Sequence, residues 1–239
     1  MRLKEKVAII TGGGRGIGRA IASGFAEQGA QVVVASRTWD ELQEVTDEIH
    51  GRDQSALPIL CDVTDEVQVK SMIAETIEAY GQVNILVNNA GIGGIRPVWG
   101  TPKRSFEAIL AVNLIGTFLC TKHVWRPMRD AGGGSIINVS SLGGLQGYPL
   151  LSAYCASKFG QIGYTKACAE EGKYDNIRVN AIAPGKVDTA LRAQIKEDKS
   201  RMLKAEDHIG LCVFLASDES RYVTGQVFPI EWYGPKVRE

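Results

Sequence analysis

Tyr154 and Lys158 stand four residues apart in Ala153-Tyr154-Cys155-Ala156-Ser157-Lys158, inside a stretch whose pattern predicts a helix over 153–170. At that spacing two side chains share one helix face, with Cβ atoms roughly 5–6 Å apart. A cation beside a phenol favours phenolate, so a charged Lys158 makes Tyr154 a stronger acid. A phenol tuned in this way can pass a proton to or from an alcohol or carbonyl near neutral pH. Thirteen residues before Tyr154, Ser141 closes the apolar run Ser135-Ile136-Ile137-Asn138-Val139-Ser140, which reads as a buried strand. Ser140 and Ser141 are neighbours and only one can face the site; the spacing favours Ser141. Tyrosine and lysine also meet four apart on ordinary helices, so the pair gains meaning from the rest of the chain.

A second group of residues suits phosphate. The strand Val7–Thr11 runs into Gly12-Gly13-Gly14-Arg15-Gly16-Ile17-Gly18 and then an amphipathic helix over 17–28. The free N–H groups and dipole of a helix start favour an anion, and absent Cβ atoms let the backbone approach a pyrophosphate. The spacing is Gly-x-x-x-Gly-x-Gly at 12, 16 and 18, so the generic Gly-x-Gly-x-x-Gly fingerprint fails if applied literally. Where an NAD site places an acid for the ribose 2′-OH, this chain has Ser36 and Arg37, with Arg15 in reach from the glycine loop. Arginine forks suit a phosphate, so NADP(H) is expected over NAD(H). Asp62, followed by Val63, is placed to accept from an adenine amino group or to start the next helix, a role open also to Thr64 or Asp65. Asn88-Asn89-Ala90-Gly91 follows the fourth strand, where two amides can tie strands together and Ala90-Gly91 allows close approach to a cofactor.

Apolar runs and amphipathic stretches alternate throughout. Strands are expected at 7–11, 31–36, 56–61, 84–88, 135–140, 177–182 and 226–230. Helices are expected at 17–28, 39–50, 66–80, 104–126, 153–170 and 206–216. The early strands are continuous β-branched runs, as when helices cover both faces of a sheet. Repeated β-α alternation predicts a doubly wound, Rossmann-type α/β sheet within a single domain over 1–239.

With 27 basic and 27 acidic residues the formal charge is zero, which argues against a nucleic-acid partner resting on an electrostatic footprint. The five cysteines are scattered, odd in number and without a Cys-x-x-Cys pair, so free thiols in a reducing compartment fit better than zinc or disulfides. The three histidines show no ligand spacing, and no metal site is expected. The Met1-Arg2-Leu3-Lys4 start lacks the apolar region of a signal peptide, and no uninterrupted apolar run reaches the length of a membrane span, so a cytoplasmic protein with no membrane partner is expected.

Taken in order, Thr11-Gly12-x-x-x-Gly16-Ile17-Gly18, Asp62, Asn88-Asn89-Ala90-Gly91, Asn113, Ser141, Tyr154-x-x-x-Lys158 and Pro184-Gly185-x-Val187-x-Thr189 resemble the short-chain dehydrogenase/reductase family over essentially the whole chain. The likeness is strongest to its 3-oxoacyl-carrier-protein reductase-like members. It implies a seven-stranded, mainly parallel sheet and a homotetramer or homodimer. It also implies hydride exchange between a nicotinamide cofactor, NADP(H) by the two arginines, and a ketone, alcohol or acyl thioester. The alternatives are an oxidative dehydrogenase of a sugar, polyol or steroid alcohol and a non-catalytic NADP-binding redox sensor. In that pattern Tyr154 is the acid/base, Lys158 lowers its pKa and holds the nicotinamide ribose, and Ser141 hydrogen-bonds the substrate oxygen. Asn113 positions a proton relay to Lys158, and Pro184, Gly185, Val187 and Thr189 belong to the loop around the nicotinamide carboxamide. Two departures touch the substrate end. The lid expected at about 188–205 is short and polar, and Glu231-Trp232-Tyr233-Gly234 replaces the family's Asp-Gly-Gly, leaving two aromatics to line the pocket or pack an interface. The loop 92–101 with Trp99, and the segment 142–151 with Tyr148, are the other candidate pocket walls.

Overall fold

The β-branched and apolar runs Val7–Thr11 (β1), Gln31–Ser36 (β2), Ala56–Leu60 (β3), Ile85–Asn88 (β4), Gly134–Val139 (β5), Ile177–Pro184 (β6) and Val227–Ile230 (β7) pair into one sheet. The structure is a computed structural model that describes residues 1–188 and 202–232. The sheet order is β3-β2-β1-β4-β5-β6-β7 and every pairing is parallel. Between the strands run α1 (Gly16–Glu27), α2 (Trp39–His50), α3 (Glu66–Tyr80), α4 (Lys103–Leu110), α5 (Gly116–Asp130), α6 (Ser152–Gly172) and α7 (Ile209–Ala216).

Successive strand residues point to opposite faces, and both faces are dry here. Ala8 and Ile10 enter a core with Ile21, Phe25, Leu42 and Val213, beneath α1, α2 and α7. Ile9, between them, enters the other core with Met72, Leu119, Val124 and Cys168, beneath α3, α5 and α6. Winding proceeds outward from β1 to β3, then returns to lay β4 on the other side of β1. The carboxyl ends of β1 and β4 therefore open a crevice at the point where the order reverses, the usual ligand position in such sheets.

The stretch expected as one helix over 104–126 departs from that expectation in two ways. A π-helical turn, Ala111–Ile115, separates α4 from α5, and α5 continues through Pro127 to Asp130. Proline costs the His123 carbonyl its helical partner, but within the last turn that loss is local. By length and composition alone, 103–130 could cross a membrane; in the fold its Leu119, Cys120, Val124 and Met128 pack on the sheet. All five cysteines are free and buried.

Candidate active site

The crevice is lined on one side by Gly12, Gly14, Arg15, Gly16 and Ile17, and on the other by Asn89, Ala90 and Gly91. Its far end holds Ser36, Arg37, Asp62 and Val63. The two sides are stitched together by one amide. Asn89 Nδ2 donates to the carbonyls of Thr11 (3.0 Å) and Gly12 (2.9 Å), and the Asn89 and Ala90 N–H groups donate to Thr11 Oγ1. Gly12 has φ +62°, a left-handed turn that glycine makes without strain. A Cβ on Gly18 would lie 2.3 Å from the Gly12 carbonyl oxygen and 2.4 Å from Asn89 Nδ2, so α1 approaches the turn as closely as backbone permits. The other member of the amide pair, Asn88, is buried and donates to Asn138 Oδ1 (2.9 Å) and Thr121 Oγ1 (3.1 Å).

The charged groups at the far end are paired. Arg37 Nη1 lies 3.7 Å from Asp62 Oδ2, and Arg15 Nη1 lies 3.4 Å from Glu41 Oε1. Burial opposes the Asp62 charge, but hydrogen bonds from Thr64 and the Arg37 guanidinium outweigh it and hold the carboxyl below its usual range. Asp65, not Asp62, caps α3, accepting from Val67 N and Gln68 N. Glu41 was not singled out in the sequence. It sits in the first turn of α2, and a Cβ on Gly14 would come 2.9 Å from its Cβ and 3.4 Å from Ser36 Oγ.

At the opposite end the reactive side chains converge. Tyr154 and Lys158 lie on α6, with Nζ 5.8 Å from the Tyr154 ring centroid. Ser141 follows β5, and its Oγ accepts from Gly143 N at 3.0 Å. A Cβ on Gly143 would be 3.2 Å from Tyr154 Cε1 and 3.5 Å from Ser141 Oγ, so both residues flank one point. Ser140 instead turns inward and donates to the Lys158 carbonyl at 3.2 Å. Lys158 is buried, and loss of water pushes its ammonium down from the ordinary 10.5 to about 7. Its Nζ donates to the Val139 carbonyl (2.7 Å) and to Gln161 Oε1 (3.2 Å). Gly91 joins the two ends of the site. A Cβ there would lie 3.4 Å from Asn113 Oδ1 and 3.8 Å from Lys158 Nζ.

Asn113 is buried in the π turn. Its Oδ1 accepts from Ile92 N (2.8 Å), and its Nδ2 donates to Ile92 O and Ser157 Oγ (2.9 Å each). The amide thus fixes the chain just beyond Gly91. Its main-chain carbonyl accepts from Thr117 Oγ1, which in turn accepts from Gln161 Nε2. Thr117 and Gln161 were also missed in the sequence, although Gln161 falls three residues after Lys158 on the same helix face.

Pro184 ends β6, Gly185 N donates to the Ile230 carbonyl, and Val187 bridges to Leu203. Thr189, Tyr233 and most of the expected lid (189–201) lie outside the described residues. The two candidate pocket walls, 92–101 and 142–151, are joined by a backbone bond from Arg96 N to the Leu150 carbonyl at 2.9 Å, with Leu150 at φ +65°. Ile95, Val98, Trp99 and Leu150 are all exposed there.

A strand-to-helix glycine turn on the crevice, and a Ser-Tyr-Lys set that meets it at Gly91, match a sequence pattern: the short chain dehydrogenase family model fits residues 6–200. The chain belongs to that family. It is 39% identical over 241 residues to a 3-oxoacyl-(acyl-carrier-protein) reductase of Thermotoga maritima, covering 97% of this chain and 98% of that protein. A short-chain type dehydrogenase/reductase of Mycobacterium marinum superposes with a TM-score of 0.92 at 38% identity, covering 96% of this chain and 95% of the other. A structure described as an NAD(P)-dependent gluconate 5-dehydrogenase of Beutenbergia cavernae, with NADP at low occupancy, gives 0.90 at 36% identity and covers 96% of each chain. This short-chain dehydrogenase is thus an oxidoreductase of CH–OH and C=O groups, in a family that binds a nicotinamide cofactor.

The crevice residues fit such a cofactor. The start of α1 has no acidic residue in its first turn and no side-chain cap, leaving its N–H groups for an anion. Gly12, Gly14, Gly16 and Gly91 keep both walls low enough for a backbone-hugging dinucleotide.

Proposed function

We propose that the protein is an NADP(H)-dependent carbonyl reductase, reversible as an alcohol dehydrogenase, that acts on a ketone or 3-oxoacyl substrate. The observation carrying this reading is the meeting of Ser141 and Tyr154 around Gly143, with Lys158 behind the phenol and Gly91 leading into the crevice. A bound nicotinamide supplies or accepts the hydride.

The chain's own residues do the rest. As a carbonyl is reduced, charge builds on its oxygen, and the Ser141 hydroxyl and Tyr154 phenol donate to it. Tyr154 then gives up its proton to that oxygen, and in the reverse direction takes it back. Lys158, when charged, stabilises the phenolate that remains. Asn113 holds the 91–92 backbone so that the crevice floor keeps its shape. Arg15 and Arg37 supply the cationic end suited to a 2′-phosphate.

A second reading, NAD(H) as cofactor, is favoured by Glu41, a carboxylate beside Ser36 in the same end of the crevice. Initial rates on a panel of ketones and acyl thioesters with each cofactor test both readings. Arg37→Asp is expected to weaken NADPH binding at least about tenfold more than NADH binding, the size of a lost charge-assisted contact. Equal effects on the two cofactors would refute the 2′-phosphate role.

A further inference from the structure

Lys158 is the only lysine or arginine classed as buried among the described residues. An ammonium has three N–H donors and no acceptor. Two of them are taken up inside the protein, by the Val139 carbonyl and by Gln161 Oε1. Gly91, on the crevice wall, lies beside Nζ, its Cβ position 3.8 Å away. The two acceptors, Val139 O and Gln161 Oε1, hold Nζ beside that wall.

Gln161 is itself held rigidly. Tyr154, Lys158 and Gln161 follow one another at i, i+4 and i+7, one stripe of α6. Gln161 has no exposed surface, and its Nε2 donates to Thr117 Oγ1 at 2.9 Å. Thr117 Oγ1 donates onward to the Asn113 carbonyl at 2.9 Å. That chain fixes the amide orientation when Lys158 is charged: an ammonium can only donate, so the oxygen faces Nζ and the NH₂ faces Thr117.

We propose that Gln161 is a positioning residue that holds Lys158 charged and aimed at the crevice, coupling it through Thr117 to the π turn that carries Asn113. The chemistry is direct. Burial disfavours the ammonium, and an acceptor on the ammonium offsets part of that cost. Gln161 supplies the acceptor without a negative charge, so it favours the ammonium against burial without fixing it as a carboxylate would. The titratable group facing Nζ from α6 is the Tyr154 phenol; β5 contributes the neutral Val139 carbonyl, and the π turn and α5 contribute the neutral Asn113 and Thr117.

The inference deepens the catalytic role assigned to Lys158 above, and it is tested with Gln161→Met and Gln161→Glu. Methionine keeps the volume and removes the acceptor; glutamate keeps the acceptor and adds charge. The primary readout is the Lys158 pKa in the protein without cofactor, followed by ¹³C NMR with lysine labelled at Cε and assigned with Lys158→Met. Relative to wild type, it should fall by about one unit in Gln161→Met and rise by about one unit or more in Gln161→Glu. The matching limb of the kcat–pH profile should move in the same two directions, with cofactor saturating. Opposite shifts establish the role. Unmoved pKa values, or shifts of the same sign in both variants, overturn it and leave Gln161 as packing. If Gln161→Met fails to fold, Gln161→Leu, which also lacks the acceptor, takes its place and must lower the Lys158 pKa relative to wild type. Failure of the functional reading itself looks different: Tyr154→Phe would then keep its turnover, whatever the Gln161 variants do.

Discussion

Gly18→Ala adds one carbon where α1 meets the Gly12 turn. The added Cβ would fall 2.3 Å from the Gly12 carbonyl oxygen, 2.4 Å from Asn89 Nδ2 and 2.9 Å from the Gly12 carbonyl carbon. Two of these are backbone atoms, which cannot swing aside, and Gly18 has an ordinary φ, so the cost is steric and not conformational. Overpacking of this kind costs about 1–3 kcal/mol. Relief requires α1 or the turn to move, which breaks the Asn89 bonds to Thr11 and Gly12, each worth roughly 0.5–1.5 kcal/mol. Together the loss is about 2–6 kcal/mol, against the roughly 5–15 kcal/mol that holds a typical domain folded. Urea unfolding of the purified protein measures it. Gly163→Ala is the control: Gly163 is exposed on α6 with nothing within 4 Å of its Cβ position, and there alanine should stabilise by about 0.5–1 kcal/mol. If Gly18→Ala lowers stability by less than about 0.5 kcal/mol, the range of a harmless surface change, the close approach of α1 to the turn is refuted.

Tyr154→Phe removes the phenolic proton and little volume, so turnover should fall by about 10²–10⁴ while NADPH binding changes only a few-fold; near-normal turnover in a steady-state assay would contradict the assignment. Glu41→Gln removes the carboxylate beside Arg15 and Ser36, freeing Arg15 for a phosphate. NADPH should then bind about 3–10-fold more tightly, with NADH unchanged or weaker, and fluorescence titration with both cofactors would expose an error if NADH gained instead. Lys158→Met tests the buried charge through stability. The folded pKa of about 7 lies below the ordinary 10.5, so between these values the unfolded chain binds the extra proton. Stability therefore rises with pH across that window. The methionine variant should be favoured most at pH 7 and below, and its advantage over wild type should shrink as the pH is raised. A difference in unfolding free energy that is flat with pH would mean that Lys158 titrates alike in both states.

The fold was readable because both-sided burial leaves continuous β-branched runs. β1, β2, α2 and α3 begin and end where the pattern places them, and the parallel order follows from the alternation. The glycine turn, the Asn88-Asn89 pair and Tyr154-Lys158 were readable because each needs particular residue types at fixed spacing. The π turn was not: its extra residue leaves the apolar pattern of 104–126 intact, and the buried Asn113 registers in sequence as one polar interruption. Glu41 and Thr117 were not readable either. Each reaches the site across a helix–turn contact that only the folded backbone brings about, and in sequence each looks like a helix-surface residue. Gln161 carried a usable signal, a polar side chain one turn beyond Lys158 on a face otherwise bound for the interior.

The backbone bond from Arg96 to Leu150 ties the loop 92–101 to the segment that precedes α6. Lengthening or shortening either loop pulls on its neighbour through that clasp. If 92–101 and 142–151 wall the substrate pocket, as proposed from the sequence, exchanging them as a matched pair should shift substrate range, and swapping one alone should break the Arg96–Leu150 bond.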